Sequence, residues 1–203
     1  MDAAGYEALR LSLLVSGTAT LIGLPLALCC AWLLARRDFR GKDLLSAAIH
    51  LPLVLPPVVT GYLLLLSFGR TAPLGRFLEQ TLGLVLAFRW TGAVLAAMVM
   101  GFPLMVRAEA AAATLGAPRY AVFATVTLPL IAPGILAGAV MGFAKALGEF
   151  GATITFVAAI PGQTQTLPSA IYSYLQVPGG EARAAQLTLI ACAIAVAAVV
   201  VSE

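Results

Sequence analysis

Apolar residues in this chain fall into five blocks too long to be core helices of a soluble domain, divided by short polar stretches. A helix needs about 20 mostly apolar residues to cross the hydrocarbon core of a bilayer. On that measure, membrane spans are predicted at about residues 11–35, 44–68, 91–106, 132–159 and 184–201. The third is short unless Phe88, Arg89 and Trp90 sit at the interface, where a Trp ring anchors and an Arg can snorkel. No internal repeat or low-complexity linker divides the chain. The expected fold is therefore all-α: a polytopic transmembrane helical bundle of about five spans, forming one membrane domain over 1–203.

Composition agrees with the pattern. Hydrophobic residues make up 61% and charged residues only 10% of the 203, against about 25% charged in a soluble domain. Mean hydropathy is +0.99. The formal charge of +3 is too small, and its basic residues too scattered, for a groove that tracks phosphates. Cys29, Cys30 and Cys192 lie inside apolar blocks without metal-ligand spacing, and His50 is the single histidine. No protein-built metal site and no catalytic residue is expected. The first apolar run has no basic segment before it, so it is expected to be a retained span rather than a removable leader.

Orientation follows the basic residues that flank the spans. Arg36, Arg37, Arg40 and Lys42 form the densest group, which puts the loop between the first two spans in the cytoplasm. Alternation then places the 107–128 connection and the carboxyl terminus inside and the amino terminus outside. Between the fourth and fifth spans, Pro161-Gly162 and Pro178-Gly179-Gly180 bracket a stretch carrying Tyr172 and Tyr174. That stretch is expected to be a short helix lying at, or dipping into, the outer interface.

Three features carry candidate chemistry. Pro52, Pro56 and Pro57, followed by Thr60 and Gly61, cannot belong to a regular helix, because each proline removes a donor and clashes one turn back. The freed carbonyls need neighbours, a side chain such as Thr60, or water. Either a distorted helix beside a pathway or a packing kink fits. Lys145 and Glu149 are four apart and share a helix face at membrane depth, flanked by Gly148 and by Gly151 and Thr153 in GEFGATITF. Ionisable groups there face protein or a wet cavity, and a structural or gating role fits better than capture of a ligand. The third feature is the connection from Arg107 to Leu128, which reads as an alanine-rich helix ended by Gly116 and Pro118, a second short helix, and Leu128-Pro129 returning to the membrane.

That connection resembles the EAA loop of bacterial binding-protein-dependent importer permeases at Glu109, Ala111, Ala112, Gly116, Leu128 and Pro129. The runs LPLVLPPVVTGY, GFPLMVRA, TLGAPRYAVFATVTLPLIAPGILAG, GEFGATITF and QTLPSAIYSYLQVPGGE together resemble the molybdate permease branch. The resemblance implies a type I ABC importer permease fold in a bacterial inner membrane and a coupling role for residues 109–116. It implies a homodimer with two cytoplasmic ATPase subunits and an extracellular or periplasmic oxyanion-binding protein. The segment between GFPLMVRA and TLGAPR is shorter than the resemblance leads one to expect, and basic residues are expected beyond the last span where this sequence reads Ser202-Glu203.

No GxxxxGK[ST] phosphate loop occurs, so no cofactor is expected in this chain, and ATP and Mg belong to the partner ATPase. Sulfate, thiosulfate or tungstate are alternative cargoes for the same class of permease. An ion-coupled secondary transporter would want ionisable relays in several spans or inverted repeats, and one Lys/Glu pair supplies neither.

Overall fold

The computed structural model of the chain describes residues 2–113 and 128–202. Helix α1, Ala3–Arg36, is opened by Asp2, whose side chain accepts the Gly5 N–H at 2.9 Å. Its 34 residues extend about 50 Å, which outruns the hydrocarbon at both ends. Ser16 and Thr20 return their hydroxyls to the carbonyls four residues back, at 2.7 and 2.9 Å. These polar groups thus need no water.

The block expected as one distorted second span is two helices, α2 (Lys42–Val54) and α3 (Pro57–Phe68), whose axes turn by 119°. Leu55 N–H makes the last bond of the first helix, to the Leu51 carbonyl. Pro56 and Pro57 then have no N–H to continue it, so the break follows directly from the sequence. The fourth block is likewise bent, by 56°, between α6 (Leu128–Leu147) and α7 (Gly151–Val157).

Between α3 and the next span lies α4, Pro73–Leu82, a helix outside the five expected spans. Its signals were in the sequence: Pro73 at the first turn, Gly83 in the left-handed region just past the end, and Leu74, Phe77, Leu78 and Leu82 on one face. Leu74, Phe77 and Leu82 are exposed, as in a helix that lies in the membrane interface. Helix α5, Trp90–Ala113, is longer than the predicted third span and runs past Arg107 without a break. Helices α8 (Leu167–Leu175) and α9 (Glu181–Ser202) complete the order.

Contacts between chain segments fix which ends share a side. Asp2 accepts the Tyr174 hydroxyl at 2.8 Å and pairs with Arg183 at 3.5 Å. The Leu167 N–H donates to Ser12 Oγ, three turns along α1. Helix α8 therefore runs antiparallel to the first turns of α1, climbing from inside the bundle to its surface, as the dipping reading expects. Glu7 lies against Gly162, and Glu7, Arg10, Arg89 and Trp90 line one cleft. The starts of α1, α5 and α9 and the end of α7 thus share one face. At the other face Ala27 and Ala31 of α1 and Met105 and Val106 of α5 form a cluster that Ile49 of α2 joins. Among the described residues three helices are long and apolar enough to cross a membrane, and five crossings result when each bent pair counts as one.

The centre is α1, α5 and α6 packed through small residues. A Cβ on Gly142 would lie 2.5 Å from Met105 Cε and 2.7 Å from its Cγ. Close approach of backbones is what drives helix association in lipid, where burial of apolar surface gains nothing.

Asp2 gives the fold a pH dependence. The Gly5 N–H foremost, then the Tyr174 hydroxyl and Arg183, hold its carboxyl below the ordinary value of 3.8. A lowered folded-state pKa means that the tether is fully present above that value and is lost as pH falls through the lowered one. Hydrogen exchange of the first turn of α1 and the last turn of α8 should stay protected near neutrality and rise together on acidification below about pH 4. Asp2→Asn should expose both segments at neutral pH and flatten that acid-dependent rise.

Candidate translocation gate and coupling elements

The two helix breaks meet. Helix α3 begins at Pro57 and α7 at Gly151, and a Cβ placed on Gly151 would fall 2.7 Å from Pro57 Cβ and 3.3 Å from the Val58 nitrogen. One turn on, a Cβ on Gly61 would fall 2.5 Å from the Ala152 carbonyl oxygen and 2.8 Å from its Cα. Both contacts include backbone, which cannot move aside as the end of a side chain can. Further along, Leu64 joins Phe156 and Val157 in the main core cluster. The α3–α7 joint is thus closed by two glycines placed where only glycine fits.

Glu149 bridges the α6–α7 break. Its side chain is 2% exposed; one carboxylate oxygen accepts from Lys145 Nζ at 3.1 Å and the other from the Ala152 N–H at 2.9 Å. One contact reaches the last turn of α6 and the other the first turn of α7, where free N–H groups favour a negative charge. A buried carboxylate is expensive unless paired and hydrogen-bonded, and here it is both. Lys145 keeps a third of its side chain exposed, so the acid is buried far more deeply than its partner. The Phe150 ring meets Tyr172 of α8 at 5.3 Å between centroids. Tyr172 thereby packs on the joint, a contact that reading it as an interfacial anchor did not reveal.

Among the predicted pathway residues, the structure brings Pro57, Gly61 and Gly151 into contact and pairs Lys145 with Glu149. Thr153 is buried in α7. Pro52 stays within α2 and Pro56 is exposed at the turn, so these two act through the backbone break. Of the alternatives open to the freed carbonyls, a bond from the Thr60 side chain is not the one seen among the described residues. The carbonyl four residues back, that of Pro56, already accepts the N–H groups of Val59 and Thr60. Thr60 Oγ1 is buried without a partner among the described residues.

The residues expected to couple to an ATPase divide between two elements. Glu109, Ala111 and Ala112 lie in the final turns of α5, as a direct extension of a span rather than a separate helix. Leu128 and Pro129 open α6, with Pro129 in the first turn, where a missing N–H costs nothing. Gly116 and the expected turn and second short helix lie outside the described residues.

Comparison with known proteins places this geometry among relatives. A family model described as "Binding-protein-dependent transport system inner membrane component" matches residues 23–202. The chain is 54% identical over 210 residues, 98% of it and 92% of the relative, to "Molybdenum transport system permease protein ModB" of Escherichia coli (strain K12). It is 52% identical over 209 residues, 97% of it and 91% of the relative, to the protein of that description in Haemophilus influenzae. To "Sulfate transport system permease protein CysW" of Synechococcus elongatus it is 39% identical over 174 residues, 80% of it and 60% of the relative. The 210 aligned positions exceed the 203 residues available, so the alignment opens gaps in this chain. A crystal structure of a bacterial ABC transporter involved in import of the acidic polysaccharide alginate superimposes with a TM-score of 0.60 at 17% identity, covering 100% of this chain and 77% of that one, which establishes a shared fold.

The joint predicts two distinct losses. Gly61→Val should lower thermal stability in detergent by several degrees, because its side chain meets the Ala152 backbone. Glu149→Ala should lower stability by about 1–3 kcal/mol, because the Ala152 N–H loses its acceptor and the partly exposed Lys145 its counter-charge, and Lys145→Met combined with it should recover the charge part of that loss. A thermal unfolding series over the four proteins checks both, and the double variant separates charge from packing.

Proposed function

Because the chain belongs to the family of binding-protein-dependent transport system inner membrane components, we propose that two copies of it form the membrane pathway of an ATP-driven molybdate importer. The cargo reading is carried by one observation: identity above half, over nearly the whole chain, to permeases named for molybdenum transport. The 39% identity to a sulfate permease makes sulfate the second reading within the same class.

In this reading the face carrying Arg37, Arg40, Lys42 and Arg107 is cytoplasmic, by the positive-inside rule. The amino terminus and the starts of α5 and α9 are then outside, and the carboxyl terminus is inside. The end of α5 and the start of α6 meet the ATPase through Glu109, Ala111, Ala112, Gly116, Leu128 and Pro129. ATP and Mg reside on that subunit, and a soluble oxyanion-binding protein delivers cargo at the outer face.

ATP-driven closure of the nucleotide subunits drives the two copies of α5 and α6 together at their inner ends. The rigid helices transmit this to the α3–α7 joint, where Pro52, Pro56, Pro57, Gly61, Gly151 and Thr153 shape the gate. A backbone contact through two glycines can slide as a unit without repacking side chains. Glu149 holds α6 and α7 as one body during that motion, while the exposed ammonium of Lys145 gives the opening a positive charge toward the passing anion. Each nucleotide state biases one arrangement.

The test uses the chain co-expressed with its ATPase and binding protein in proteoliposomes. Labelled molybdate should accumulate only with ATP and binding protein present, with excess sulfate competing weakly. Gly116→Trp should abolish uptake and ATPase stimulation. If the chain retains no ATPase on purification and moves no oxyanion, the importer reading falls. Glu149→Gln keeps an acceptor for the Ala152 N–H but loses the charge, so uptake should drop at least tenfold with assembly intact; wild-type uptake would end the gating role.

A further inference from the structure

The outer face holds a polar cleft that the gate and the coupling elements do not use. It encloses about 400 Å³ between the start of α1, the turn before α5 and the loop after α7, and Glu7, Arg10, Phe88, Arg89, Trp90 and Gln163 line it. The other outer arginines with contacts are engaged, Arg76 with the Thr71 carbonyl and Arg183 with Asp2. Among the described residues the guanidinium groups of Arg10 and Arg89 have neither a hydrogen bond nor an ion pair. Glu7 stands one turn from Arg10 on the same helix and still does not pair with it.

Phe88 takes a φ of +58°, a backbone conformation that a bulky side chain rarely adopts. That turn sets Arg89 and Trp90 at the mouth of the cleft. Arg10 lies more than a turn inside α1, where an arginine faces water or a partner and not lipid. Two cations against one carboxylate, with the Gln163 carboxamide beside them, give a net positive and donor-rich concavity directly outside α7.

We propose that this cleft is an outer receiving site for a tetrahedral oxyanion dianion, held by Arg10 and Arg89 and oriented by Gln163, before it reaches the α3–α7 joint. Each guanidinium presents a planar fork of donors suited to two oxygens of such an anion. Glu7 opposes binding and keeps the site weak, which a delivery route requires, since tight capture at the mouth would stop onward movement. The site rests on the importer reading and adds a place on the path to it.

Trp90 supplies the readout. The permease–ATPase complex in lipid nanodiscs, with Trp32→Phe leaving Trp90 as its only permease tryptophan, is titrated with sodium molybdate against sodium chloride at matched ionic strength. Emission assigned to Trp90 by subtracting a Trp90→Phe control should change saturably with molybdate, and sulfate should compete, because the cleft reads charge and shape. Arg10→Gln and Arg89→Gln should each weaken the apparent Kd by about fivefold or more, the loss of one charge-assisted contact, and Glu7→Gln should tighten it. A response that is absent, does not saturate, or ignores both arginine replacements overturns the proposal. Absent binding with ATP-driven uptake intact sinks the cleft alone, whereas failure of uptake in the unsubstituted protein sinks the importer reading.

Discussion

Lipid offers no hydrogen-bond partner to a broken helix, and the arrangement of this bundle follows from that constraint. Two of the apolar blocks are interrupted, one by Pro56-Pro57 and one at Gly148 to Phe150. Each interruption leaves backbone groups and a bend that cannot face acyl chains. The structure answers by setting the two breaks against each other. Pro57 meets Gly151, and Glu149 supplies the acceptor that the first turn of α7 lacks. The unusual residues of the sequence, prolines, glycines and a buried acid in apolar blocks, are thereby concentrated at one joint, while the intact crossings α1 and α5 form a wall of alanine, valine and methionine around it.

Much of this was legible in the sequence. Block length gave the three long apolar helices and the two bent pairs as five apolar blocks, since hydrophobic runs need no partner to be recognised. Basic residues around Arg36 to Lys42 marked one end of the first two crossings. The prolines marked the first break, because loss of an N–H is a local property of the residue. Lys145 and Glu149 were recognisable as a pair because four residues place two side chains on one helix face, and they do pair.

What the sequence hid was set by distant residues. The 119° turn at Pro56-Pro57 depends on α7 standing beside α3, and nothing within 44–68 states that. The bend at Gly148 was invisible because Gly, Glu and Phe are each tolerated within a helix. Helix α4 escaped notice because a length test for spans ignores ten residues with one apolar face. The Thr60 hydroxyl, one of several partners open to a freed carbonyl, is buried without one among the described residues. Phe150 and Tyr172 are 22 positions apart, and only the antiparallel climb of α8 along α1 makes them neighbours.

Helix α5 ties these places together. It starts at Trp90 in the outer cleft, packs against α7 where Gly92 meets Val157, lines the small-residue core at Gly101 and Met105, and ends in the turns that carry Glu109 to Ala112. Its 24 residues span about 36 Å, longer than the roughly 30 Å hydrocarbon core. Pro103 removes one internal hydrogen bond, yet it sits fully buried where neighbouring helices hold the axis. The cleft, the joint and the 109–112 turns are therefore carried by one continuous element. On the proposed function, a displacement of the 107–113 end reaches the α3–α7 joint and the cleft through one continuous helix.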